Sequence, residues 1–199
     1  MTFRTQTLED LDLIAQFMRQ YLIRSGDILL VEAPMGGGKT TFARALAAQY
    51  GLEGVSSPTF TISNLYQAPG TDLSMVHLDL YRLSSIEEFF DAGLDETLEN
   101  LQDNQAFAYM EWPDLLWEGR SFTSSLGSCA TSFRHLQILP HPTLGDFVRS
   151  YVLDLASWLS DPSFPAETRS LLSPLIEEPM RIGELFPAIQ PLVWLNKEE

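Results

Sequence analysis

Lysine is almost absent from this sequence. Among 199 residues there are two, Lys39 and Lys197, and the second lies close to the C-terminus. Positive charge is scarce throughout: 12 Lys and Arg stand against 27 Asp and Glu, for a net charge of −15. Nucleic-acid binding by phosphate neutralisation needs clustered Lys and Arg, and the arginines here are scattered. Strong direct binding of nucleic acid by charge alone is therefore excluded. If the chain serves a nucleic-acid pathway, a partner is expected to hold the nucleic acid. The single cysteine, Cys129, excludes an internal disulfide and fits a reducing compartment. It lies in a Ser/Thr-rich stretch, Gly119–Thr131, and no catalytic role is assigned to it. No apolar run approaches the length of a membrane span, and the N-terminus lacks a charged-then-apolar signal pattern. The expectation is a soluble, cytoplasmic, monomeric protein. Its 45% hydrophobic content is enough for one substantial core.

Against this scarcity, the one lysine in the body of the chain is conspicuous. Lys39 stands in Ala33-Pro34-Met35-Gly36-Gly37-Gly38-Lys39-Thr40-Thr41. An apolar run, Ile28–Val31, precedes this stretch and a helix-like segment, Thr41–Tyr50, follows it. Strand, glycine loop, Lys-Thr and helix make up the phosphate cradle of P-loop nucleotide-binding proteins. Gly36, Gly37 and Gly38 lack a Cβ, so the backbone can turn its N–H groups onto phosphate oxygens. The helix start adds unpaired N–H groups and the positive end of its dipole. Lys39 brings a full charge, and the Thr40 hydroxyl is suited to Mg²⁺, which prefers oxygen ligands. Met35, Gly36, Gly37, Gly38, Lys39, Thr40 and Thr41 are thus the candidate binding residues. Ala33 stands where the motif has its first glycine, and it is the smallest alternative.

Periodicity places the elements around this loop. A helix is predicted over 7–24, with Thr7 as N-cap and Asp10 three residues on. Strands are predicted over Asp27–Val31, Phe60–Tyr66, Met75–Leu80, Ala106–Met110 and Arg134–Leu139. A helix over Ser84–Ala92 takes Ser84 as N-cap and stops at Gly93. The longest apolar stripe, Leu144 to Leu159, predicts a helix over Thr143–Leu159. Strands alternating with helices imply an α/β fold of three layers, P-loop NTPase-like, with a mostly parallel central sheet and helices on both faces. The reading assigns 1–160 to this domain. Residues 161–199, rich in proline, are read as an extension packed on the domain or on a partner.

Two carboxylates fall at the ends of apolar strands. Asp79 follows His77-Leu78, and Glu111 directly follows Ala106–Met110. The carboxyl ends of strands are where ligands bind in open α/β sheets. Asp79 and Glu111 are therefore candidates for the metal and for an attacking water, with a structural cap or turn role as the alternative for each. His77 shares the strand face of Asp79 and reads as a packed, hydrogen-bonded histidine rather than a catalytic one. Thr59, in Ser57-Pro58-Thr59-Phe60-Thr61, is a candidate switch residue sensing phosphate and metal; an ordinary β-branched strand position is the other reading.

Taken in order, Gly38-Lys39-Thr40-Thr41, Ser57-Pro58-Thr59-Phe60-Thr61, His77-Leu78-Asp79-Leu80-Tyr81-Arg82-Leu83 and Glu111-Trp112-Pro113 resemble the TsaE (YjeE) family. The resemblance covers roughly residues 5–140 and rests most on the second pair of segments. It implies an ATPase, with ATP and Mg²⁺ as cofactors, required for threonylcarbamoyladenosine in tRNA. It implies a TsaD-TsaB-like complex as partner. On that resemblance Lys39 binds phosphate, and Thr40, Asp79 and Glu111 serve the metal and water. Trp112 sits beside the nucleotide, and Thr59 belongs to the switch. Two other functions fit the loop alone: a small-molecule P-loop kinase, and a nucleotide-dependent adaptor without significant hydrolysis. A kinase usually carries an arginine-rich lid, whereas Arg120 and Arg134 are isolated. No guanine-reading Asn-Lys-x-Asp run is present, which favours ATP over GTP.

Overall fold

Four apolar strands run parallel through the centre of a single seven-stranded sheet, ordered β1-β7-β6-β2-β5-β4-β3. The computed structural model describes residues 1–118, 132–141, 143–145, 147–162 and 164–193. The strands are β1 (Thr2–Thr5), β2 (Asp27–Glu32), β3 (Ser63–Gln67), β4 (Ser74–Asp79), β5 (Ala106–Glu111), β6 (Ser132–Pro140) and β7 (Arg149–Leu153). The helices are α1 (Leu8–Tyr21), α2 (Lys39–Gln49), α3 (Ile86–Asp91), α4 (Leu94–Glu99), α5 (Asp114–Glu118), α6 (Leu155–Ser160) and α7 (Ala166–Leu172), followed by short helical turns over 174–192. β6, β2, β5 and β4 are mutually parallel, while β3, β7 and β1 pair antiparallel at the flanks.

Alternation along the strands divides the core between the two faces of the sheet. Leu29, Val31, Met75, Phe107, Tyr109 and Leu136 join α1 and α2 in one cluster. Ile28, Leu30, Val76, Leu78, Ala108 and Met110 join α3, α4 and α5 in the other. The fold is thus mixed α/β, with helices packed on both faces. Register then positions the site. Val31 lies opposite Glu111, and Glu111 lies opposite Asp79. Three neighbouring strands therefore end in one row, and the glycine loop leaves β2 beside two carboxylates.

Most predicted elements are present with shifted ends. The capping box on α1 is formed, since the Thr7 side chain accepts from the Asp10 N–H and Asp10 accepts from the Thr7 N–H. α2 begins two residues earlier than predicted, at Lys39, with Gly38 as its N-cap at φ 103. The N-cap of α3 is Ser85, not Ser84, and the Ser84 N–H instead donates to Glu88. β3 starts at Ser63 rather than Phe60. The Thr61 and Ile62 N–H groups both return to the Pro58 carbonyl, so residues 58–62 form a turn. One expectation fails outright. There is no helix over Thr143–Leu159: β7 occupies Arg149–Leu153 and only Leu155–Ser160 is helical. Tyr151, Val152 and Leu153 are good strand formers, and β7 is sandwiched between β1 and β6. Leu144 and Phe147, read as part of an inward stripe, are exposed.

Beyond Ser160 the chain folds back over α1. Phe164, Leu172, Leu175, Ile182 and Ile189 are buried in the same cluster as Phe17 and Met18. A single bridge joins Val193 to Phe3 of β1. The start of this segment is fastened by a buried charge cluster. Arg134, 1% exposed, pairs with Asp27 at 3.3 Å and with Asp161 at 3.1 Å. Arg169 adds bonds to the Asp161 and Phe164 carbonyls at 2.7 and 3.0 Å. Burial raises the Asp27 carboxyl to about 6, opposed by Arg134. Because this value lies above the ordinary carboxylate range, the folded state holds the proton more tightly than the unfolded chain does. The stabilising contribution of Asp27 is therefore full below about pH 4 and fades as pH approaches 6. Urea unfolding of wild type and Asp27→Asn is expected to show the wild-type-minus-mutant difference falling, by on the order of 1 kcal/mol, between pH 5 and pH 7. A difference that is flat or rises across that window would contradict this assignment.

Candidate functional site

The glycine loop bends where β2 ends, and each of its residues answers a different demand. Gly38, at φ 103, takes a backbone angle that a side chain resists. Gly37 has an ordinary φ but no room. A Cβ there would stand 2.8 Å from the Pro34 oxygen and 2.9 Å from the Ala33 Cβ. The Gly37 N–H closes this tight turn by donating to the Pro34 carbonyl at 2.9 Å. Ala33, where the motif has glycine, is accommodated as a buried methyl that the Gly37 backbone packs against.

Lys39 is 5% exposed. Its Nζ donates to the carbonyls of Ala33 at 2.9 Å and Pro34 at 3.1 Å, and it lies 3.9 Å from the centroid of the Trp112 ring. Burial lowers its pKa, while Glu111, Asp79 and Asp114 pull it back up. Among the described residues no carboxylate lies within ion-pair distance of Nζ. The ammonium therefore keeps its charge available for an anion. Trp112 reaches this place through a left-handed backbone, φ 57, which for a bulky residue costs about 1–3 kcal/mol. Tyr81 packs against it, with ring centroids 5.0 Å apart.

Both candidate carboxylates are nearly fully buried, and each is aimed by hydrogen bonds. Glu111 Oε1 accepts from the Thr40 hydroxyl at 3.1 Å and is bonded to His77 Nε2 at 2.9 Å. Asp79 Oδ2 accepts from Thr59 Oγ1 at 2.6 Å, and Oδ1 accepts from the Tyr81 N–H at 3.1 Å. Ser57 Oγ lies 2.6 Å from Thr59 Oγ1. His77 is wholly buried, with its ring edge-on to Tyr109 at 5.1 Å, so it orients Glu111 from behind and does not line the cavity.

Met35, Gly36, Gly37, Gly38, Lys39, Thr40, Thr41, Thr59, Asp79, Glu111 and Trp112 all line one cavity of about 290 Å³. These are the candidate binding, metal, catalytic and switch residues of the sequence, brought to one place. Ser57 and Tyr81 line it too; both sit inside the segments that stood out, yet neither side chain carried a signal of its own. Arg149 was hidden by the mistaken helix. Its Nε–H donates to the Gly37 carbonyl at 3.1 Å. Arg82, three residues past Asp79, braces the turn by donating to the Thr59 and Phe60 carbonyls at 3.2 Å each. The Gly119–Thr131 stretch, including Arg120 and Cys129, lies outside the described residues, as does Lys197. A larger cavity, about 820 Å³, borders the starts of β4 and β5 and contains none of the candidate residues.

The donor set suits a phosphate bearing a magnesium ion. The backbone of Gly36, Gly37 and Gly38 borders the cavity, Lys39 adds charge, and Thr40 offers a hydroxyl between the loop and Glu111. Among the described residues no group of three or more His, Cys, Asp or Glu could hold a metal by itself.

These features define a class: a mixed α/β protein with a glycine loop and a buried lysine at the carboxyl edge of its parallel strands. A family model described as "Threonylcarbamoyl adenosine biosynthesis protein TsaE" matches residues 5–133, and the chain belongs to that family. It is 38% identical over 95 residues to the tRNA threonylcarbamoyladenosine biosynthesis protein TsaE of Borreliella burgdorferi, covering 48% of this chain and 66% of that protein. It is 40% identical over 81 residues to the Streptomyces coelicolor protein of the same name, covering 40% and 55%. The chain thus spans just under two thirds of the first and little more than half of the second. Among solved structures it is similar to Bacillus subtilis YdiB, with a TM-score of 0.49 and 23% identity, covering 76% of this chain and 82% of that one. No helix among the described residues is long and apolar enough to cross a membrane.

Gly37→Ala tests the loop directly. The neighbours it would strike are a backbone oxygen and a short side chain, which cannot swing away. The substitution is expected to lower stability by about 1–3 kcal/mol, read as a reduced urea midpoint. Equal stability of Gly37→Ala and wild type would show that the loop relaxes freely.

Proposed function

We propose that this chain binds ATP with Mg²⁺, hydrolyses it, and serves as the ATPase subunit in forming threonylcarbamoyladenosine in tRNA, together with a TsaD-TsaB-like complex. One observation carries the reading. Thr40, Glu111 and Asp79 meet at the mouth of the glycine loop, beside a buried and unpaired Lys39. Family membership supplies the pathway, and the acidic charge supports leaving tRNA to the partners.

In this reading the loop N–H groups, Lys39 and the start of α2 hold the phosphates. Thr40, with Asp79 and Glu111, would hold the ion, which when bound neutralises charge on the phosphate oxygens. Of the two carboxylates, one would hold the ion directly and the other would accept a proton from the attacking water. Their fixed hydrogen bonds from Thr40, His77, Thr59 and Tyr81 keep them aimed without reorganisation. Thr59 ties the turn at 58–62 to Asp79, so any movement of that turn is felt at the carboxylate. A trough of about 430 Å³ shares Gly36, Gly38 and Thr41 with the phosphate cavity, and its rim carries the exposed apolar side chains Leu8 and Phe147. A kinase function finds no support in Arg134, which is buried between Asp27 and Asp161.

Lys39→Ala is expected to weaken ATP binding by at least about 1.5–3 kcal/mol while the protein stays folded. Calorimetric titration of a folded mutant with undiminished affinity would remove the nucleotide assignment. Asp79→Asn and Glu111→Gln are expected to slow hydrolysis more than they weaken binding, because their work is greatest in the transition state. Wild-type turnover in either mutant, with partners present, would make that residue structural. Phosphate release by the isolated chain is expected to be slow and to rise on titration with a purified TsaD-TsaB complex, with ATP affinity rising in parallel because linkage is reciprocal. Full activity alone and no response to the complex would favour a free-standing ATPase or kinase.

A further inference from the structure

We propose that Arg149 is a positioning residue for the glycine loop, acting through its Nε–H rather than through its charge. The inference rests on the nucleotide reading above. It concerns a residue beyond the 5–133 segment matched by the family model.

The backbone of Arg149 is fixed from both sides, by Thr5 of β1 and by Pro140 of β6. From there Nε donates to the Gly37 carbonyl at 3.1 Å, and Nη1 donates to the Val148 carbonyl at 2.9 Å. The loop leans directly on the side chain, since a Cβ at Gly38 would stand 3.9 Å from Nε. The bond matters because of where it falls. Two peptides of the loop join residues without side chains and so meet least steric resistance to flipping; Gly36–Gly37 is tied by the Gly37 N–H to the Pro34 carbonyl, and Gly37–Gly38 is the one held through Arg149. That peptide is trans, and in a trans peptide the carbonyl and the following N–H point in opposite directions. Holding the Gly37 oxygen on the Arg149 side therefore holds the Gly38 N–H on the other side, facing the phosphate cavity. Arg149 lines the trough and not that cavity, as a strut behind the loop should.

Two substitutions separate geometry from charge. In glutamine the amide nitrogen is as many bonds from Cβ as Nε is in arginine, so Arg149→Gln keeps the donor and drops the charge. Arg149→Lys keeps the charge but puts a methylene where Nε was. Binding of ATP, and of inorganic tripolyphosphate, is measured by calorimetry for wild type, Arg149→Gln, Arg149→Lys and Arg149→Ala. The amide resonance of Gly38 is followed in the ligand-free proteins. Arg149→Gln is expected within about threefold of wild type for both ligands, and the Lys and Ala variants roughly tenfold weaker. The Gly38 resonance is expected to shift only in those two. Retention by Lys with loss in Gln would assign the effect to charge and overturn the proposal. Equal binding in all four with an unmoved Gly38 resonance would overturn it as well. Lys39→Ala is run alongside. If that variant binds as wild type does, the nucleotide reading has failed, and the Gly38 resonance alone still decides the role of Arg149.

Discussion

The register between β2, β5 and β4 is the constraint from which the site follows. Parallel pairing puts Val31, Glu111 and Asp79 in one row across three adjacent strands. A strand slipped by one residue would turn its whole set of side chains to the opposite face. Glu111 would lose Thr40 and His77, and Asp79 would lose Thr59. The register is protected because both faces are buried. Leu29, Val31, Phe107 and Tyr109 belong to one core, while Ile28, Leu30, Ala108 and Met110 belong to the other. Core packing on two sides thus fixes the relative heights of two carboxylates to the spacing of one strand pair.

The site concentrates charge where charge is costly. Lys39, Asp79 and Glu111 are 5%, 3% and 2% exposed. Burying an ionised group without partners is strongly unfavourable. Here each is supplied: two carbonyls and an indole face for Lys39, a hydroxyl and an imidazole for Glu111, a hydroxyl and an amide for Asp79. The lysine and the carboxylates still do not pair with one another. That separation is the state expected of a site whose opposing charges are to be bridged by an anion and a cation arriving together. The left-handed Trp112 fits the same picture, since strained backbone tends to persist where surrounding contacts hold it for a purpose.

Much of this was legible in the sequence because its signals are local. A glycine run followed by Lys-Thr, and an acid closing an apolar strand, are visible within a few residues, and the eleven candidate residues share one cavity. What escaped depended on distant partners. The stripe from Leu144 to Leu159 satisfies a helical period, but its middle becomes β7 because β1 and β6 offer hydrogen bonds on both sides. No local pattern reports that offer. Arg149 was lost with it, since an arginine in a supposed helix has no reason to meet a glycine loop more than a hundred residues earlier. Phe60–Ile62 was read as strand from its β-branched and aromatic residues, yet Pro58 collects two backbone N–H groups and turns the chain. Ser85 in place of Ser84 as N-cap is an error of one between two equivalent residues.

The chain beyond Ser160 lays Val193 against Phe3, and this has a consequence for assembly. A sheet with two free borders can add neighbours on each side without limit, which is the geometry of fibres. Here the β1 border is taken in part, at Phe3, by the protein's own tail. The opposite border, β3, has no strand beside it among the described residues. Copies meeting through the β3 border alone would close as a pair about a two-fold axis.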